Sequence, residues 1–93
     1  MRVGVLVLEL YVHGATSLKD KRRVVRGIKD RCRSRYNVAV AEVDHQDLHQ
    51  RASLAFVSVA IDEAPLHQLF EQIITDAEDV AGGGVSEVSR EIL

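Results

Sequence analysis

Apolar and polar positions fall into six blocks along this chain, and the period changes from block to block. From Val3 to Val12 nearly every residue is apolar, with Val3, Val5, Val7, Glu9 and Tyr11 on one parity and Gly4, Leu6, Leu8, Leu10 and Val12 on the other. A Val- and Leu-rich run that is apolar on both faces predicts a central strand covered on both sides. His13-Gly14-Ala15-Thr16 predicts a turn. The period then lengthens: at 100° per residue Leu18, Val24, Val25, Ile28, Cys32 and Tyr36 share one side of a helix, with Lys21 inside the same arc. Ser17 followed by Asp20 resembles a capping box with Asp in place of the usual Glu. Val38–Asp44 predicts a second strand, His45–Arg51 a long polar hairpin loop, and Ala52–Ile61 a third strand, again apolar on both faces. Asp62 caps a second helix whose first turn tolerates Pro65. Its stripe is Leu66, Leu69, Phe70, Ile73, Ile74, Ala77, Val80 and Ala81, and its opposite face carries Gln68, Glu71, Gln72, Asp76 and Asp79. Gly82 stops this helix. Val85–Leu93 predicts a last strand with Val88 and Ile92 on one face.

The order β-α-β-β-α-β with right-handed crossovers predicts a ferredoxin-like α/β sandwich: a four-stranded antiparallel sheet with two helices on one face. That topology places the first and third strands in the middle, and these are the two runs apolar on both faces. The helices cover one face only, so the other predicts self-association, a homo-oligomer formed through the open sheet face. Ninety-three residues make a single domain, 1–93.

Charge changes the picture. Residues 17–35 hold nine of the twelve Lys and Arg and two of the fourteen Asp and Glu, although the whole chain has a formal charge of −2. Arg22, Arg26, Lys29 and Arg33 follow i, i+4, i+7, i+11 and predict a basic stripe about 16 Å long on one helix flank. Such a stripe suits a phosphate backbone and predicts salt-dependent binding. Lys19, Lys21 and Arg22 lie in the first turn, where free N–H groups and nearby cations suit an anion. Lys21, on the core side, also predicts an ion pair with Glu42 or Asp44 across the helix–sheet seam.

Other chemistry is sparse. One cysteine, Cys32, excludes an intrachain disulfide and an all-cysteine metal site, and its place in the apolar arc makes it a small core residue. His45, Asp47 and His49 alternate in a polar loop, a weak metal signal without a fourth ligand. No phosphate-binding glycine loop, nucleophile triad or carboxylate pair supports catalysis, so neither enzymatic activity nor a cofactor is expected. Tyr11 and Phe56 are the only aromatics on the central strands, too few for a base-stacking sheet. Glu9 interrupts the apolar start before it can serve as a signal peptide, and no run approaches the length of a membrane span; both favour the cytoplasm and argue against a membrane partner.

Two stretches resemble a known family. Ser17-Leu18-Lys19-Asp20-Lys21-Arg22-Arg23 resembles the S-L-K-E-K-R opening of the first helix in the YlxP-like family of bacterial proteins of unknown function. Asn37-Val38-Ala39-Val40-Ala41-Glu42-Val43-Asp44-His45-Gln46-Asp47 resembles its N-V-S-V-A-E-V-D-H-Q-D segment. The departures are Asp20 for Glu, Ala39 for Ser, and His49 where the family pattern leads one to expect Trp. The resemblance implies a ferredoxin-like fold and a gene often found near translation-initiation and ribosome-maturation factors. It singles out Lys19, Lys21, Arg22, Glu42, Asp44, His45, Gln46, Asp47 and Arg51. The resulting expectation is a binding module for ribosomal RNA or a ribosomal subunit. Lys19, Lys21, Arg22, Arg26, Lys29 and Arg33 would meet phosphates, and the loop set Glu42, Asp44, His45, Gln46, Asp47 and Arg51 would add selectivity. The alternative is a homodimeric module whose basic helix docks an acidic protein.

Overall fold

A computed structural model describes residues 1–93 as β1 (Arg2–Tyr11), α1 (Leu18–Arg35), β2 (Ala39–Asp44), β3 (Arg51–Ala60), α2 (Glu63–Ala81) and β4 (Val85–Ile92). The sheet is antiparallel throughout, in the order β2-β3-β1-β4, so the two runs apolar on both faces are the central pair. This is the predicted ferredoxin-like arrangement, its ends moved by a residue or two.

Strand alternation sorts β1 cleanly. Leu6, Leu8 and Leu10 are fully buried beneath the helices, and Val3, Val5 and Val7 on the other parity are half-buried. Leu54 and Phe56 of β3 join the core side, with Ile28 and Cys32 of α1 and Phe70, Ile73 and Ala77 of α2 above them. Gly4 makes room for α2: a Cβ there would stand 2.8 Å from Phe70 Cζ. Asp62 occupies the N-cap of α2 without a side-chain hydrogen bond, and Gly82 ends the helix in the left-handed conformation at φ 74°.

Three local expectations need correction. Asp76, placed by the helical wheel on the solvent face of α2, is buried in the seam between the helices. Tyr36 Oη donates to its Oδ2 at 2.5 Å, and Arg35 Nη1 donates to its Oδ1 at 2.8 Å. Val88 does not match Ile92. β4 slips register against β1 so that Ser89 faces Val7 and Glu87 faces Leu8, which leaves Val88 at a bulge and exposed while Ile92 packs on the core. The cap of α1 is also not reciprocal. Ser17 Oγ accepts from the Asp20 N–H at 3.2 Å, but the Asp20 carboxylate reaches back one residue further, accepting from Thr16 N and Oγ1 at 3.0 and 2.9 Å. No helix is long and apolar enough to cross a membrane.

Candidate nucleic-acid interface

The cations of α1 divide by the direction in which the helix presents them. Arg31 and Arg35 face α2, where Arg31 Nη1 lies 2.5 Å from Asp79 Oδ2 and Arg35 Nη1 lies 2.8 Å from Asp76 Oδ1. The Arg31 guanidinium accordingly holds the Asp79 carboxyl below the usual carboxylate range. Lys21 points inward. The remaining six, Lys19, Arg22, Arg23, Arg26, Lys29 and Arg33, have no carboxylate within ion-pairing distance.

Those six line two adjoining hollows. Arg22, Arg26, Lys29 and Arg33 border a groove of about 370 Å³ between α1 and the edge strand β2, whose other walls include Asp30 and Glu42. Lys19, Arg22, Arg23 and Arg26 border a second of about 240 Å³ toward the start of the helix. Arg33 Nη2 donates to the Val40 carbonyl at 3.0 Å, which fixes the far end of the row against β2. Arg23 belongs to this surface although the stripe spacing passes over it; its place four residues after Lys19 is the signal that finds it.

The start of the helix is not a vacant anion seat. Asp20 supplies the negative charge itself, and the N–H and hydroxyl of Thr16 hold its carboxyl below the usual range. The positive charge of this flank is therefore that of its side-chain cations.

Lys21 is part of the interior. Its side chain is 1% exposed, and its ammonium contacts Glu42 Oε2 at 2.9 Å and the carbonyls of His45, Gln46 and Arg51 at 2.7, 3.3 and 3.2 Å. Of the two carboxylates in reach of the seam, Glu42 is the one used. The contact has a simple origin. Glu42 sits opposite Leu54 on the helix-facing side of β2, and the chain then bulges at Val43 and turns back over the lysine. With its donors all engaged, Lys21 cannot join the exposed basic row, and the expectation that it does is corrected.

The loop residues singled out by sequence do not form one cluster. Glu42 faces inward to Lys21. His45 and Gln46 serve the cage through their carbonyls. His45 is the one non-glycine residue at positive φ, 64°, and the Asp44 carboxylate accepts its N–H at 2.8 Å. Arg51 pairs with Glu9 on the open sheet face, with His45 Nε2 3.9 Å from the same carboxylate. Sequence reading missed Glu9; its signal is a lone charge inside an otherwise apolar strand. Asp47 borders a separate hollow of about 250 Å³ with Tyr11, His49 and Arg51. No group of three His, Cys, Asp or Glu side chains assembles that could hold a metal ion.

Cys32 is fully buried, and burial pushes its thiol up to about 11. That suppresses the thiolate and suits a core residue.

Two comparisons bear on identity. "Uncharacterized protein YlxP" of Bacillus subtilis (strain 168) is 28% identical over 72 residues, which span 77% of this chain and 78% of that protein. The family described as "Protein of unknown function (DUF503)" matches residues 3–90. With nearly the whole chain matched, the protein belongs to the DUF503 family.

Proposed function

We propose that this protein is a non-enzymatic binding module for RNA, associated with the ribosome or its RNA, and that the outer flank of α1 is its contact surface. The observation that carries the reading is the set of six cations on one helix, Lys19, Arg22, Arg23, Arg26, Lys29 and Arg33, that lack a carboxylate partner while their neighbours Lys21, Arg31 and Arg35 each have one. Although the chain as a whole has a net charge of −2, these six cations gather along one flank and line two adjoining hollows. Each phosphate neutralised releases condensed counterions, so binding by four to six cations should fall by roughly 50- to 300-fold between about 50 and 200 mM salt on a single strand.

The experiment is co-sedimentation with ribosomal subunits and with naked ribosomal RNA at low and moderate salt. The comparison is a variant with Arg22, Arg26 and Lys29 changed to Glu; Arg33 is kept because it also holds Val40. Steeply salt-dependent binding that the variant loses is the expected result. No binding by the unmodified protein at low salt, or binding that survives the charge reversal, would refute the reading. Retention on an acidic protein with none on RNA would move the function to a protein partner.

A further inference from the structure

The sheet face that the helices leave uncovered shows apolar side chains to solvent. Of the large apolar side chains that stand exposed, none lies on α1 or α2. Two of them, Val57 and Val59 at 37% and 50% exposure, belong to the central strand β3, and they count here as part of a contiguous patch rather than singly. Register places them beside half-buried valines of β1: Val3 opposite Val59 and Val5 opposite Val57, with Val7 opposite Ala55. Ala39 and Ala41 of β2 extend the same rows.

We infer that this face is covered by a second copy of the chain, packed sheet on sheet into a four-layer α-β-β-α dimer. Three features favour that occupant. The first is size. Four strands about 4.8 Å apart and eight residues at about 3.3 Å give roughly 500 Å² per copy, or about 1,000 Å² for a pair. That reaches the lower bound of about 1,000 Å² for a specific interface, and the area per copy is in the range of the largest patch on an ordinary monomer, which is often functional. The second is chemistry. The middle of the face is valine and alanine, Glu9 and Arg51 pair within one copy at one end, and the unpaired charge, Glu91 opposite Val5, lies on the edge strand β4 at the rim, so no cluster of one sign selects a partner of opposite sign. A flat face of small apolar residues is complementary to itself and lets two sheets approach to about 10 Å.

The third is that the competing route, strand pairing at the sheet edges, is blunted on both sides. On β2 the Val40 carbonyl is held by Arg33 and the Glu42 carbonyl by the Gln46 amide, and the strand bulges at Val43. On β4 the bulge at Val88 breaks the run of regular pairing. In the dimer both basic helices lie on the outside, so this interface and the RNA-facing flank are independent surfaces.

The test is the mass in solution by sedimentation equilibrium across micromolar to millimolar chain concentration, for the unmodified protein and for Val57→Lys. Twice the 10.3 kDa chain mass is expected for the unmodified protein, with the dissociation constant of the variant raised at least tenfold. Far-UV circular dichroism checks that the variant folds. Should the lysine prevent folding, Val57→Thr with Val59→Thr, isosteric and strand-compatible, replaces it with the same expectation. A monomer at every concentration, or a dimer indifferent to the folded variant, overturns the inference.

Discussion

Replacing Lys21 by Met tests whether the motif lysine is a structural keystone. The Met side chain preserves most of the apolar stem packing and removes the ammonium. Glu42, 18% exposed, is left without its cation, and the carbonyls of His45, Gln46 and Arg51 lose their shared donor. Removing one partner of a buried pair costs about 3–5 kcal/mol. Glu42 keeps some contact with water, which sets the expected loss near the lower end, about 3 kcal/mol. For a domain of this size that lowers Tm by about 10–25 °C. Glu42→Gln should cost less, about 1–2 kcal/mol, because the ammonium keeps three carbonyl acceptors and gains an amide oxygen. The double variant with Met at both positions separates a cage from a simple pair. An isolated buried pair exchanged for apolar side chains is often neutral, whereas here three loop carbonyls remain without a donor and the loss should persist. The assay is urea unfolding followed by far-UV circular dichroism, reading the midpoint at constant m. A Lys21→Met loss below about 1 kcal/mol, or full recovery in the double variant, would refute the caged role.

Two further outcomes follow from the helix seam and the core. Asp76→Ala leaves Tyr36 Oη and Arg35 without their acceptor and should cost about 2–3 kcal/mol in the same urea assay, while Tyr36→Phe should cost about 1 kcal/mol; equal, negligible losses would contradict the seam as drawn. Cys32 should resist thiol reagents in the native protein and react at the unfolding rate or slower. Its pKa is raised from 9.0 to about 11, so its contribution is fully present below pH 9 and is lost as the pH rises toward 11. Cys32→Ala should flatten that alkaline decline, measured as urea midpoints between pH 8 and 11, and an unchanged decline would exclude the thiol as its source.

The fold was legible because its signals are periodic and local. β1 and β3 announce central strands by being apolar on both parities, and α1 and α2 announce themselves by stripes that the core then buries. Lys21 was partly legible: a lysine inside an apolar arc needs an inward partner, and Glu42 is on the correct parity of β2. Its three carbonyl acceptors were not, since they depend on the path of the loop after the bulge at Val43. Asp76 was misplaced because a helical wheel distinguishes faces of one helix but holds nothing about Arg35 and Tyr36 on the next. Val88 was misplaced because a bulge shifts parity without altering composition. The stripe of Arg22, Arg26, Lys29 and Arg33 survives as one surface, and its edge was too narrow by Arg23. The loop set dispersed because adjacent residues of a hairpin point to opposite sides of the sheet.

The most direct measurement is the salt slope of RNA binding. Association with a single-stranded ribosomal RNA fragment is followed by filter binding over a range of salt concentrations, for the unmodified protein and for a variant with Arg22, Arg26 and Lys29 changed to Gln. A slope of log K on log salt of about −3 to −4 is expected for the unmodified chain, made shallower by about 2 in the variant as three phosphate contacts are lost. A shallow slope in the unmodified protein, or the same slope in both, would contradict a polyanion-binding role for the basic flank.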